Sequence, residues 1–156
     1  MNALGSIVCS IAQVFGGCHL KDDVLPVITF TRDMDINELS SILIDKFPDA
    51  PIYLPDLNYK VCSKEDINRF LFWDDTENVK YQLDAFDCDD YSWRLKGQIT
   101  IFPWSQIPFF VIWTDKHALC GFVDDKGSFY FVEPQSNKIQ TELEDWQGSQ
   151  IRFIGG

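Results

Sequence analysis

The sequence has little that is basic: 13 Lys and Arg stand against 24 Asp and Glu, a formal net charge of −11. A nucleic-acid-binding domain needs a basic stripe to meet phosphates, and none is present, so no nucleic-acid partner is expected. Histidine is scarce too, with His19 and His117 only. The five cysteines, Cys9, Cys18, Cys62, Cys88 and Cys120, are odd in number and contain no C-x-x-C pair. That excludes the usual zinc spacings and argues against a disulfide framework. Free thiols in a reducing compartment fit, which points to a cytoplasmic protein. The apolar start, "MNALGSIVCSIAQVFGGC", has no Lys or Arg ahead of its apolar run, which an export signal would carry. Its "FGGC" is loosely similar to a lipoprotein cleavage site, but the run reads better as a packed N-terminal helix. It is too short and interrupted to cross a bilayer, so no membrane span is expected.

What is present is a globular composition. Hydrophobic residues make up 46% and aromatics 15% of 156 residues, enough for one domain with a real core, and one domain over residues 1–156 is expected. "VLPVITF" (Val24–Phe30) reads as an edge-like strand carrying Pro26. "DINELSSILIDKF" (Asp35–Phe47) reads as a helix, with Asp35 as cap, Glu38 three residues on, and apolar residues at helical spacing. "SKEDINRFLFW" (Ser63–Trp73) repeats the pattern with Ser63 as cap, and "DDTEN" reads as an acidic linker. A third helix starts near Asp87 or Cys88, with Tyr91, Leu95 and Trp93 toward the core and Gly97 just past its end. Five strands follow in "PFFVIWT", "HALCGFV", "SFYFVE", "KIQTE" and "QIRFI", with "DDKG" and "QSN" as turns. Helices first and an antiparallel sheet second is an α+β order.

Chemistry concentrates at "AFDCDDYSWRLKG", where Cys88 sits among Asp87, Asp89 and Asp90 at a helix start. Free N–H groups and the helix dipole there favour a thiolate, while the three carboxylates oppose it. An imidazolium is the usual counterweight. A hairpin turn centred near Asp125 pairs residues whose numbers sum to about 250, which sets His117 opposite Glu133 to within one residue. Glu133 would then accept the imidazole N–H and fix its tautomer, as the third member of a triad does. A bulge at Gly127 would move that register.

"FDCDDYSWRLKG" followed by "HALCGFVDDKGSFYFVEPQSNKI" resembles the papain-like domain of the Marasmius oreades agglutinin type and similar small phage and bacterial proteins. The likeness covers roughly residues 71–139. It implies a papain-like α+β fold and a cysteine protease with Cys88 as nucleophile, His117 as base and Glu133 as orienter. It also implies calcium as a candidate cofactor. Trp93 and Cys120 depart from the pattern, the first where small residues are usual and the second where a polar residue is.

The expected function is therefore peptide or amide hydrolysis by a Cys–His–Glu triad, with a peptide or protein substrate. The alternative is a non-catalytic papain-like structural or adaptor module docked in a larger protein assembly, such as a phage virion. Gln82, six residues before Cys88, and Gln135, beside Glu133, are candidates for oxyanion or positioning roles. Asp87, Asp89 and Asp90 are candidate oxygen ligands for Ca²⁺, against their plainer role as first-turn helix residues. Trp104 is either a groove residue or a loop anchor.

Overall fold

The computed structural model describes residues 24–156, so the expected N-terminal helix, with Cys9, Cys18 and His19, lies outside the described residues. Strand β1 (Phe30–Asp35) pairs antiparallel with β3 (Asn58–Cys62) as a separate two-stranded sheet. Between them run helix α1 (Ile36–Lys46) and the short strand β2 (Ile52–Tyr53). Helix α2 (Lys64–Trp73) and helix α3 (Cys88–Ile99) follow. The chain then builds β4 (Phe109–Thr114), β5 (Ala118–Val123), β6 (Phe129–Glu133), β7 (Lys138–Gln140) and β8 (Ile151–Gly155). These join β2 in one six-stranded sheet of order β2-β8-β4-β5-β6-β7.

Two expectations about order are corrected here. Helices do not come first: a strand opens the described chain, and strands alternate with helices as far as α2. The sheet is not wholly antiparallel either, because β2 lies parallel to β8. The strand expected over Val24–Phe30 is irregular except at its last residue, and the extended segment lies further on, in β1.

The helix starts follow from their caps. The Asp35 carboxylate accepts from the Asn37 and Glu38 N–H groups at 2.8 and 2.9 Å, and the Ser63 hydroxyl accepts from Asp66 N–H at 3.1 Å. The Glu38 carboxylate forms an ion pair with Arg32. Helix α3 runs past Gly97 to Ile99, because Ile99 is buried with Leu95 and draws one more turn onto the core. Trp93 is 47% exposed rather than packed inward.

Both faces of the large sheet are covered. Leu39 and Leu43 of α1, with Met34, Tyr59 and Val61, pack on Phe110, Ile112, Leu119, Phe129 and Phe131. Ile67 and Phe70 of α2, with Leu95 and Ile99 of α3, pack on Phe109, Cys120, Phe122 and Val132. A strand buried on both faces loses its polar alternation, which is why "ALCGFV" reads as one apolar run. Trp104 is fully buried and its indole N–H donates to Pro26 carbonyl at 2.9 Å, so it anchors the loop before β4 and does not line a groove.

The packing leaves no room at Gly121. A Cβ there would stand 2.7 Å from both Ile112 Cδ1 and the Phe129 ring. Gly121→Ala is expected to lower stability by about 1–3 kcal/mol through overpacking. A urea midpoint unchanged from the parent protein would show that the sheet yields here.

Candidate functional site

Helix α3 begins on a carboxylate network. The Asp87 N–H donates to the Asp90 carboxylate at 3.1 Å, and the Asp84 N–H donates to the Asp87 carboxylate at 3.1 Å. Tyr91 N–H closes the first helical bond onto Asp87 carbonyl at 3.0 Å. The buried side of the helix, with Tyr91, Ser92 and Leu95, lies on the sheet, and the Cys120 thiol donates to Ser92 carbonyl at 3.4 Å. This seating places Cys88 over the start of β5, where the Ala118 N–H lies close enough to favour the charged sulfur.

His117 immediately precedes β5. Its N–H donates to the Thr114 hydroxyl at 2.9 Å and its carbonyl accepts Thr114 N–H at 2.8 Å, which makes a tight turn out of β4. The imidazole and the Glu133 carboxylate are each 6% exposed and meet at 2.8 Å between Nε2 and Oε2. The route to this contact is not the one the hairpin arithmetic gives. Cys120 faces Val132 and Val123 faces Phe129, so the turn is centred one residue later than Asp125. Gly127, at φ +77°, supplies the left-handed turn residue that makes the difference. Continued outward, this register sets Glu133 opposite Leu119, two residues from His117. The two side chains share a face and meet diagonally.

Glu133 has two further donors. Gln147 Nε2 donates to Oε2 at 2.9 Å, and Gln135 N–H donates to Oε1 at 3.3 Å. Gln135 thus touches Glu133 through its backbone. Gln82 is exposed, and its backbone bridges to Phe86 in the turn leading to α3. The structure therefore brings His117, Glu133 and the Gln135 backbone together and sets Cys88 beside Ala118, the residue after His117, while Gln82 pairs with Phe86 in the turn before α3.

The sequence pattern does not single out Thr114, Trp146 or Gln147. The Trp146 ring lies 4.8 Å from the His117 ring, and Gln147 is fully buried against Glu133. Both stand in a single 3₁₀ turn, Asp145–Gln147, within "EDWQGSQ", which carries no helix or strand period. The available signal was the glycine that follows. Gly148 has φ +95°, and a Cβ there would stand 2.5 Å from Asp115 Oδ1 and 2.7 Å from Thr114 Oγ1.

The electrostatics at the thiol run against a resting thiolate. Burial pushes Cys88 above the ordinary thiol value, and the charges of Asp87 and Asp89 push the same way. The Ala118 and Asp89 N–H groups act in the opposite direction without offsetting them. Asp89 is itself raised, first by its hydrogen bond with the Asp87 carboxylate, which is lowered by the same contact. Cys62 is pushed up to about 12 by burial, and fully buried Cys120 is pushed up as well.

Ligand atoms of Asp87, Cys88 and Asp89 lie within 4.8 Å of one another. A hard cation would use the two carboxylates there, since thiol sulfur suits softer metals. Asp90 is turned back to cap its own helix. No helix among the described residues is long and apolar enough to cross a membrane.

No family model matches the sequence, and no curated protein does. Solved structures do match the fold, among them these two. One is named "PSL1a-E64 complex", with 18% identity over 80% of this chain and 50% of that chain, and a TM-score of 0.68. The other is Polyporus squamosus lectin bound to the human-type influenza-binding epitope Neu5Aca2-6Galb1-4GlcNAc, with 18% identity over 80% of this chain and 49% of that chain, and a TM-score of 0.64. The chain thus spans about half the length of the structures it matches, and at this identity the likeness is one of fold.

These neighbours correct the family expectation. One is named as a lectin, and neither is named as a papain-like protease. The papain-like assignment of fold and family, and the cysteine-protease and hydrolase activity with its peptide substrate, are withdrawn on that finding. The raised thiol at Cys88 accords with the withdrawal, because a nucleophilic cysteine works as its thiolate.

The thiol electrostatics give a test. Alkylation of Cys88 by iodoacetamide is expected to keep rising beyond pH 9 rather than level off below neutrality. Asp89→Asn removes one of the opposing charges and should speed labelling at pH 7.5 by about threefold. Mass spectrometry of the Cys88 peptide over a time course checks both, and a rate that plateaus in mildly acidic buffer would refute the account.

Proposed function

We propose that the chain is a ligand-binding module whose ligand is met by a thiol, an imidazole and a buried carboxylate. Cys88 is the contact group, His117 the proton carrier and Glu133 the orienter. The observation that carries this reading is the 2.8 Å contact between two nearly buried side chains, His117 and Glu133. His117 precedes Ala118, whose N–H faces the Cys88 sulfur closely enough to act on its charge. Fold does not fix function, so the reading rests on the site. It is one of ligand capture without turnover.

The E64 of the first neighbour's name supplies a probe. E64 carries an epoxide. Attack by sulfur forms an S–C bond and breaks a C–O bond; the thiol proton passes to the open nitrogen of the imidazole, which returns it to the alkoxide, so no proton is gained or lost overall. The expected result is an adduct on the Cys88 peptide, with buried Cys62 and Cys120 unmodified, and formation slowed by roughly tenfold or more in His117→Ala. Equal labelling of all three cysteines, or no adduct after prolonged exposure, would sink the reading.

A second reading takes the glycan of the other neighbour's name as the ligand class. An aromatic shelf favours it. Tyr53, Phe153 and Trp113 stand on β2, β8 and β4, with successive ring centroids 5.7 Å apart, and Tyr53 and Trp113 are 63% and 42% exposed. Sugar rings pack their C–H faces on such surfaces. The trisaccharide Neu5Aca2-6Galb1-4GlcNAc should then change tryptophan fluorescence saturably, and Trp113→Ala should abolish the change. No response up to about 1 mM ligand, equivalent to about −4 kcal/mol, would remove this reading.

A further inference from the structure

The thiol site leaves one buried group without an assigned role. Gln147 is fully buried, and both ends of its amide have partners. Nε2 donates to Glu133 Oε2 at 2.9 Å, while Oε1 accepts Gln140 Nε2 at 2.5 Å and Glu144 N–H at 3.0 Å. This set fixes which way the amide points. Turned over, its oxygen would face a carboxylate oxygen and its NH₂ would face the Glu144 N–H, which is unfavourable at both ends.

The consequence passes to the histidine. Glu133 Oε2 already receives Gln147 Nε2–H, and Oε1 receives Gln135 N–H. A carboxylate so placed accepts a proton-bearing nitrogen from His117, so the imidazole hydrogen sits on Nε2 and Nδ1 is the ring nitrogen left open to a partner. The turn that carries Gln147 is also clamped to the backbone of His117. The Thr114 hydroxyl lies 2.5 Å from Gln147 carbonyl and accepts the His117 N–H at 2.9 Å. Gly148 lets the chain pass that hydroxyl, where any Cβ would collide.

We propose that Gln147 is a positioning residue of the thiol site. Its amide holds the Glu133 carboxylate in the orientation that keeps the His117 proton on Nε2, and Trp146, next to it in the same turn, covers the ring. The proposal rests on the site reading of Cys88, His117 and Glu133, but its readout does not depend on any ligand.

The test is NMR of the intact chain with labelled imidazole. The parent protein should show His117 as the Nε2–H tautomer with a slowly exchanging Hε2 proton. Gln147→Met keeps the length and removes the donor. It should give a mixed tautomer and an Hε2 exchange faster by roughly tenfold. Leu43→Ala, which opens a cavity under helix α1 on the opposite face of the sheet, should leave both signals as in the parent and so separates positioning from mere stability.

Where Gln147→Met does not fold, Gln140→Leu serves. It removes the donor that pins Gln147 Oε1, and with it a buried Gln140 oxygen that has no partner. It should shift the tautomer in the same direction by less. A folded Gln147→Met, or Gln140→Leu in its place, with parental tautomer and exchange would overturn the proposal. Failure of Cys88 labelling alone would overturn the capture reading and leave this one standing.

Discussion

Glu133 is a carboxylate only 5% exposed, at the end of the third strand of a hairpin chain. Burying such a group costs several kcal/mol unless donors replace its water. Three donors do so here, and each comes from a different part of the chain. His117 comes from the start of β5, Gln135 from the turn after β6, and Gln147 from the 3₁₀ turn before β8. Satisfying one side chain therefore fixes the relative positions of three segments. Removing it would strand the imidazole N–H and the amide N–H in the interior, a larger loss than the loss of one surface ion pair.

The sheet makes this burial affordable only because both of its faces are covered. Helix α3 lies on β4 and β5 through Leu95 and Ile99, which brings the helix start, and Cys88 with it, to the end of β5 where His117 stands. Cys120, one turn of packing further in, ties the helix to the strand through Ser92 carbonyl. The opposite face, filled by α1 and the β1–β3 ribbon, adds nothing to the site directly. It covers the second face of β4, β5 and β6, and so supports the register from which the diagonal His117–Glu133 contact follows.

The legible parts of this fold are those whose signal is local. Caps at Asp35 and Ser63, the helix start at Cys88 and the apolar runs of β4, β5 and β6 are written in neighbouring residues. Strands β1 and β3 are less visible because their burial is one-sided and irregular, and β2, at two residues, is too short for any period. The end of α3 was hidden because Gly97 is a stop signal only when no apolar residue beyond it has a core to enter, and Ile99 has one. Of the site, the three side chains that share the sheet end carry recognisable chemistry. Gln147 and Trp146 do not, since their partners lie 14 and 29 residues away and depend on a turn that only the finished sheet defines. The family reading rested on short motifs, and the likeness to lectin structures at 18% identity lies below what such motifs register.

Charge around the thiol constrains what kind of ligand the site favours. Asp87 and Asp89 flank Cys88 and oppose its ionisation, and the chain as a whole carries −11. Glu133 is buried and already takes three donors from the chain itself, so it serves the site from within rather than meeting a cationic group from outside. A ligand that brings positive charge to the start of α3 would offset the aspartates and make the thiol more acidic as it binds. A ligand that brings a carboxylate would deepen the opposition on both counts. An acidic sugar is therefore poorly matched to Cys88 itself. Its place, on the glycan reading, is the aromatic shelf of Tyr53, Phe153 and Trp113, where contact is made by ring faces and not by charge. The two readings thus occupy different chemistry on one sheet, and a ligand's charge decides between them before its shape does.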